Sequence, residues 1–358
     1  MPARPYAPRG ATFTRQLRTA PVGRRQLLRG SVALLGASAL APLLASCGDG
    51  EPAAADGRLP IDVGAANPGT AGSVIDPIIA KFGLDAEHGL RLGRSAGGGP
   101  GAGQDQLLTG VLDSFAFGPL GAVQANTTGH DIVIAGPQLW NHGRWIVPED
   151  SDVTSVADLR GKRIGVQPAS SDTYRLAALA AGVNGIDFAR EFELFPGQPI
   201  ANLALYERGD LDAIIAIEPN ATRLVAAGNR QVATVSAEWQ RGTGDSAPLF
   251  LNGASFRREW LAESDEHARA ARALVALRTE ANQKIVDDPS LLATYHEAFG
   301  VPADEEAAIA LLPERLADIY PTVWDDAVFA NLDQQIAVAL ELGILESEPD
   351  EPVYETLT

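Results

Sequence analysis

The sequence contains little cysteine and little lysine, and each scarcity excludes a class of structure. Its 358 residues include one cysteine, so no disulfide can form within the chain and the fold must rely on its core. Only three lysines occur, and the chain has no G-x-S-x-G, H-E-x-x-H or cysteine-nucleophile pattern. His130 and His142 lack metal-ligand partners at useful spacing, so we interpret both as surface or structural residues. No fixed-period repeat, coiled coil or low-complexity tract is present.

Long hydrophobic runs are also missing. The apolar stretch Ser31–Ala45 holds about 15 residues, too few to cross a bilayer of ~30 Å as a helix. Arg24-Arg25 precedes it and resembles a twin-arginine export signal, although the general export route could also read the motif. Leu44-Ala45-Ser46-Cys47 follows and matches a lipobox. We therefore predict an export signal over 1–46, an acylated Cys47 that holds the protein on the extracytoplasmic face of a membrane, and a flexible tether over 47–58.

The distribution of charge excludes further partners. The first 46 residues hold seven arginines and no acidic residue. Since the whole chain has 28 basic residues, the rest carries 21 basic and 46 acidic side chains, a formal net charge of −25. A surface this acidic argues against nucleic acids and anionic membrane surfaces as partners.

Apolar runs and turn residues predict alternating strands and helices, which indicates an α/β fold. Strands are predicted at 59–63, 90–92, 112–117, 132–135, 162–167, 193–195, 213–217 and 232–235, and helices at 73–82, 104–108, 172–183, 199–208, 222–227, 263–286, 289–299, 304–312, 313–319 and 327–342. The first strand, helix and strand should form a right-handed βαβ unit with parallel strands. Connections between two lobes are predicted at Trp145–Pro148 and Pro248–Leu251.

The segment Ser155–Val183 organises the chain. Ser155 is predicted to cap a short turn, and Ser170 and Ser171 stand where the next helix begins, after a strand that Pro168 ends. A helix N-terminus beyond a sheet edge presents unpaired N–H groups that suit polar or anionic ligands, although an ordinary N-cap has the same sequence.

Two stretches carry a family resemblance: SVADLRGKRIGVQPASSDTYRLAAL from Ser155, and LYERGDLDAIIAIEP from Leu205. They resemble the substrate-binding proteins of bacterial ABC importers for nitrate, taurine, aliphatic sulfonates and thiamine-pyrimidine precursors. The resemblance covers about Ile61 to Leu345. It implies the periplasmic-binding-protein type II fold, with mixed sheets flanked by helices and a ligand cleft between two lobes. We expect lobe I at 59–146 and 249–358 and lobe II at 147–248, in a monomer that delivers its ligand to ABC permease subunits without a cofactor or metal.

The candidate ligand-binding residues follow strands or open helices, where unpaired donors and acceptors converge. One side of the cleft should supply Asn67, Gly98, Gly118, Gln138 and Trp140, and the other Ser170, Ser171, Thr173, Tyr174, Glu218 and Asp245. Gly98 belongs to the run Gly97–Gly103, which fits a dinucleotide-binding pattern poorly because Pro100 removes an amide. A mobile loop beside the cleft or a plain linker suits that run better.

The sequence leaves the ligand open. The serine-flanked helix favours a sulfonate, nitrate or carboxylate, but Asp172 shares the first turn and Glu218 follows a strand that points at the cleft. The nearest basic candidates are Arg144 and Arg175. We expect a nitrogen-containing heterocycle of the pyrimidine type stacked on Trp140 or Tyr174. The alternative for Glu218 is a hinge residue paired with an arginine.

Two other function classes remain. The fungal thiamine-pyrimidine synthase has this architecture and, in that family, holds pyridoxal phosphate through a lysine. Here Lys81, Lys162 and Lys284 all lie away from cleft-facing strand ends, so we expect a binding protein and no enzyme. A sensory or adhesive lipoprotein that has lost transport is the third possibility.

Overall fold

The computed structural model describes residues 57–66, 68–96 and 101–358. Asn67, Gly98 and Cys47, on which three of the expectations above depend, lie outside these residues.

The strands confirm the predicted alternation. They are β1 (Leu59–Ala65), β2 (Leu90–Ala96), β3 (Phe115–Phe117), β4 (Ile132–Trp140), β5 (Gly143–Val147), β6 (Arg163–Val166), β7 (Glu193–Pro196), β8 (Ala213–Ile217), β9 (Arg230–Thr234) and β10 (Phe250–Arg257).

Helices connect and cover these strands. They are α1 (Ile75–Phe82), α2 (Leu84–Glu87), α3 (Ala102–Leu108), α4 (Pro119–Thr127), α5 (Asp172–Gly182), α6 (Phe188–Glu191), α7 (Pro199–Glu207), α8 (Asn220–Ala226), α9 (Val235–Thr243), α10 (Arg258–Glu263), α11 (Asp265–Asp287), α12 (Ser290–Thr294), α13 (Glu306–Leu316) and α14 (Asp326–Glu341). Short 3₁₀ turns lie at Ala71–Val74, Val156–Leu159 and Ala317–Ile319.

Two small sheets contain the early strands and β10. β1 and β2 pair in parallel, as the βαβ prediction requires. β10 lies between β3 and β4 and is antiparallel to both. A parallel bridge from Val63 to Ser114 connects β1 to the residue before β3, and another joins Ile134 to Tyr354 near the C-terminus.

A five-stranded mixed sheet has the order β7-β6-β8-β5-β9. β6 is parallel to β7 and β8, whereas β5 is antiparallel to β8 and β9. Trp145, Ile215 and Ile164 belong to the main core cluster, while Ile146 and Ile214 belong to a second cluster with residues of α7 and α8. Both faces of this sheet are therefore covered, which explains why β8 is apolar at every position.

Local capping explains several element boundaries. Ser155 and Asp158 form a capping box at the turn Val156–Leu159, which confirms the predicted cap. Ser171 caps α5, and its Oγ accepts from the Tyr174 amide at 3.3 Å. Ser264 caps α11 in the same manner, so the predicted helix over 263–286 begins at Asp265, and the separate helix α10 ends just before the cap.

The structure differs from the predicted secondary structure in several places. Trp145–Val147 and Phe250–Leu251, which were expected within the connections between lobes, lie in β5 and β10, because both runs are apolar and pair within sheets. The helices α2, α4, α6, α9 and α10 were not predicted. Pro313 was expected to begin a helix, but it lies inside α13. The division into two lobes at 147 and 249 stays a prediction.

Within the part of the chain that the structure describes, no helix combines the length and apolar character needed to cross a membrane.

A buried cluster of charges attaches α13 to the end of β8. Glu218 is fully buried, and its carboxylate accepts from the amide and hydroxyl of Thr222 at 2.9 and 2.6 Å. Arg315 on α13 donates to it at 3.1 Å and Arg144 on β5 at 3.3 Å. Arg315 also donates to Gln231 at 2.8 Å, so the cluster connects α13 with three strands.

Removing the carboxylate should destabilise the protein strongly. Glu218→Ala leaves Arg144 and Arg315 without their shared partner in a largely buried site, so we expect the free energy of unfolding to fall by about 3 kcal/mol or more. Denaturant unfolding measures this difference. Glu259→Ala is the matched control, because Glu259 pairs with Arg257 at 3.3 Å but has a side chain 81% exposed; its effect should stay within about 0.5 kcal/mol. Equal effects of the two substitutions would contradict the structural role of the cluster.

Candidate functional site

A cavity of about 740 Å³, counted with its solvent-open part, lies where the strand ends and the start of α5 meet. It is lined by Ala65, Ala66, Thr70, Ala71, Gly72, Gly101, Gln104, Phe115, Ala116, Gln138, Leu139, His142, Ser171, Asp172, Thr173, Ile217, Leu251 and Asn252. The lining combines residues that precede the five-stranded sheet in sequence with residues that follow it, and with the start of α5. This arrangement matches the position at which open α/β sheets bind ligands.

The first turn of α5 forms one wall. Ser171 is 2% exposed, and its hydroxyl donates to the Pro168 carbonyl at 2.7 Å while accepting from Tyr174. Thr173 is also buried and lines the cavity. The first amides of a helix have no partner within the helix, so this wall offers N–H donors to the cavity.

Asp172 brings a carboxylate into the same wall, but that carboxylate is already bonded. It accepts from the Gly118 amide and from Gln104 Nε2, each at 2.9 Å, and pairs with Arg175 at 3.2 Å. Burial raises the pKa of Asp172, and Arg175, Gly118 and Gln104 oppose that shift. Its negative charge is therefore balanced within the protein.

His142 lies on another wall and is 3% exposed. Its Nδ1 lies 3.1 Å from the Trp140 carbonyl oxygen, an atom that only accepts, so Nδ1 carries the hydrogen. Burial lowers the pKa of His142 to about 4, with Arg144 lowering it further and the Trp140 carbonyl and Glu218 opposing. The ring is therefore neutral near pH 7.

Phe115 provides the aromatic surface of the cavity. Its ring lies between two backbone segments, those of Gly64 at the end of β1 and Gly103 in α3. A Cβ on Gly64 would come within 2.5 Å of the ring, and a Cβ on Gly103 would collide with it. Glycine at both positions lets the ring approach the backbone closely, so its position is fixed by packing.

Few charges line the cavity. Among the described lining residues, Asp172 and His142 are the only ionisable side chains, and neither lysine nor arginine occurs. The described residues also contain no group of three His, Cys, Asp or Glu side chains placed to hold a metal ion. The lining can thus make hydrogen bonds and apolar contacts, but it offers a ligand no cationic partner.

The structure brings three of the predicted residues to the cavity: Gln138, Ser171 and Thr173. Gly118 is not among the lining residues, but its amide donates to the lining residue Asp172. Ser170 is exposed and lies beside the lining residue Gly101.

Four predicted side chains lie elsewhere. Trp140 packs edge-on against Phe250, and Tyr174 packs edge-on against Phe188, so both half-buried rings lie against the core. Glu218 lies in the charge cluster with α13 and pairs with arginines, which is the pairing part of the hinge alternative; the hinge role stays a prediction. Asp245 accepts from the Ala247 amide and from Asn331.

Sequence reasoning missed Gln104, Phe115, His142 and Asn252. Gln104 lies in the first turn of α3, so helix-start position is the signal that could have selected it, and Phe115 lies at an end of β3. His142 was interpreted as surface or structural, because a single histidine carries no spacing pattern.

No protein-family model matches the sequence. No curated protein matches it either. Solved structures do match in fold. The alkanesulfonate-binding protein SsuA from Xanthomonas axonopodis pv. citri, bound to MOPS, superposes with a TM-score of 0.66 and 15% identity, over 83% of this chain and 98% of that one. The periplasmic aliphatic sulphonate binding protein SsuA from Escherichia coli gives 0.60 and 17%, over 81% and 95%.

An enzyme shares this fold as well. The desulfurization enzyme DSZB superposes with a TM-score of 0.53 and 14% identity, over 82% of this chain and 95% of that one. At these identities the comparisons establish the fold. The chain has the α/β architecture of the type II periplasmic binding proteins, with mixed sheets and flanking helices.

The buried His142 predicts a pH dependence of stability. Its pKa is lower in the folded protein than in the unfolded chain, so the unfolded state binds more protons between pH 6.5 and 4. Stability due to this residue is therefore complete above pH 6.5 and lost as the pH falls, by about 3 kcal/mol at pH 4. Denaturant unfolding at pH 7 and pH 4 measures how much unfolding free energy is lost between these two pH values. This loss should be smaller in His142→Gln than in the unsubstituted protein, by about the contribution of His142. The exposed His130 supplies the control, because His130→Gln should leave the loss unchanged. An equal loss in all three proteins would contradict a buried, neutral His142.

Proposed function

We propose that this protein is an extracytoplasmic solute-binding lipoprotein that captures a small, polar organic molecule and delivers it to an ABC importer. The ligand is a nitrogen-containing heterocycle of the pyrimidine type. The fold shared with SsuA supports the binding role. In this proposal two lobes close over the ligand as their connections turn, and the protein acts as a monomer.

One observation carries the ligand assignment: the described lining residues include no arginine or lysine, while Asp172 contributes a carboxylate. Burying an anion in such a lining leaves its charge without a partner, which costs several kcal/mol. An uncharged ring with N–H groups avoids this cost, because its donors bond to acceptors of the lining and its faces contact Phe115.

Sulfonate binding is the second candidate. The α5 N-terminus opens into the cavity, and a helix dipole favours an anion by roughly 0.3–2 kcal/mol. The fold neighbours named as alkanesulfonate binders add support. Asp172 stands in the same first turn, however, and its carboxylate already accepts the Gly118 amide. The dipole contribution is smaller than the cost of burying an unpaired anion, so the uncharged ligand is preferred.

Catalysis finds less support. A pyridoxal-phosphate enzyme needs a lysine at the cavity, and Lys81, Lys162 and Lys284 are all absent from the described lining. DSZB shows that the fold also carries an enzyme, but fold likeness alone assigns no reaction.

Substitution of Ser171 tests the site. Ser171→Ala should weaken binding of the retained ligand about tenfold, because it removes a hydroxyl from the cavity wall and loosens the first turn of α5. Native mass spectrometry of freshly purified protein identifies the ligand. Thermal-shift screening of pyrimidines, taurine, alkanesulfonates and nitrate then ranks the classes.

Ser264→Ala is the matched control, because Ser264 caps α11 as Ser171 caps α5. Both variants should lose about 1 kcal/mol of stability, but Ser264→Ala should keep full affinity. Undiminished affinity in Ser171→Ala would place the site elsewhere. Stabilisation by sulfonates alone would overturn the heterocycle while keeping the binding role.

Cys47 tests the location. In our proposal its acyl chain is the attachment to the membrane, so Cys47→Ala should move the protein from the membrane fraction to the soluble extracytoplasmic fraction. Ligand affinity should not change. Fractionation followed by immunoblotting measures the distribution, and a variant that stays in the membrane fraction would contradict the lipid anchor.

A further inference from the structure

We infer that His142 selects the ligand: its Nε2 accepts a hydrogen bond from an N–H group of a flat, uncharged ring that lies against Phe115. This inference rests on the proposed solute-binding function. It assigns ligand recognition in the cavity to His142, a role that the sequence around His142 does not indicate.

The hydrogen bond at the other ring nitrogen sets the chemistry of Nε2. Nδ1 bonds to the Trp140 carbonyl, which requires a hydrogen on Nδ1. His142 is buried, and burial holds its pKa near 4, so the ring has no second hydrogen near pH 7. Nε2 is then the nitrogen left for the cavity, and it carries a lone pair that only accepts.

Asn252 supplies a second acceptor. Its Oδ1 is buried and has no hydrogen-bonding partner in the described residues, although Asn252 lines the cavity. A buried acceptor without a partner costs about 1–3 kcal/mol, which a donor on the ligand would recover. Asn252 on β10 pairs with Leu139 on β4, and Leu139 lies three positions before His142 in the sequence. One acceptor thus lies on β10 and the other follows the end of its neighbouring strand β4.

Phe115 fixes the orientation of the ligand ring. Because Gly64 and Gly103 hold the phenyl ring against the backbone, it presents a rigid apolar surface. A flat ligand that packs on this surface directs its edge, where ring N–H groups lie, toward the polar walls. A sulfonate or nitrate presents only acceptor oxygens and would place them against the lone pair of Nε2.

Paired probes test the donor requirement directly. Uracil carries ring N–H groups, and 1,3-dimethyluracil has the same ring without them; benzenesulfonate is a flat anion that only accepts. Isothermal titration calorimetry at pH 7 on the full mature chain, freed of retained ligand by unfolding and refolding, gives the three affinities. We expect uracil to bind at least tenfold more tightly than either of the other probes.

Two variants assign this preference to His142. His142→Leu removes the acceptor, and His267→Leu is its control, since His267 Nδ1 also lies 3.0 Å from a tryptophan carbonyl, that of Trp260, outside the cavity. His142→Leu should lower uracil affinity at least tenfold and leave 1,3-dimethyluracil affinity unchanged. His267→Leu should change neither affinity. His142→Gln, which restores an acceptor, should recover part of the loss.

The outcomes separate the two proposals. Equal affinity for uracil and 1,3-dimethyluracil, unaltered uracil binding in His142→Leu, or binding of benzenesulfonate alone would each overturn the role of His142. If Ser171→Ala weakens binding in those cases, the solute-binding proposal stands. Failure of all three probes to bind also overturns the role of His142, and if native mass spectrometry finds no retained small molecule either, the solute-binding proposal fails with it.

Discussion

The buried carboxylate of Asp172 is the constraint on which the cavity depends. It accepts hydrogen bonds from the Gly118 amide and Gln104, and it pairs with Arg175, so one side chain joins α5 to α3 and to the start of α4. A buried carboxylate without these partners would cost several kcal/mol. Glycine is required opposite it: a Cβ on Gly118 would lie 2.9 Å from Asp172 Cγ, and a Cβ on Gly121 would lie 2.8 Å from its Oδ1. The cavity wall is therefore set by a contact between segments distant in sequence.

The parts of the fold and of the cavity wall that depend on short-range sequence patterns could be predicted. Ser155 and Ser171 cap the elements that their sequence positions indicate, because capping involves residues two or three apart. The apolar run Ala213–Ile217 gave its strand without error. The bonds that Asp172 accepts from Gly118 and Gln104 span 54 and 68 residues, however, and no local pattern contains them. The wall residue Ser171 was thus predictable, whereas the role of its neighbour was not.

Aromatic residues show the same limit in another form. Trp140 and Tyr174 were expected to stack on the ligand because they follow strand ends or open a helix, yet both pack against phenylalanines in the core. Phe115 lines the cavity instead, and its position depends on the absence of side chains at Gly64 and Gly103. Whether an aromatic ring faces a core or a cavity is decided by the space that surrounds it. That space is a property of the tertiary structure and is not encoded in the spacing of the residues.

Charge pairing explains how an acidic protein builds a cavity in which the carboxylate of the described lining is balanced within the protein. Asp172 pairs with Arg175 at one wall, and Glu218 pairs with Arg144 and Arg315 beyond Ile217, so both of these carboxylates have a cation within the protein. These arginines bind the two carboxylates and are not among the described lining residues. Surface charge is screened within about 8 Å in physiological salt, so the large net negative charge acts on encounter with solutes and weakly on the bound state. Recognition then depends on the hydrogen-bonding groups that remain unpaired, and the buried lone pair of His142 and the Oδ1 of Asn252 are of the type that an N–H donor satisfies.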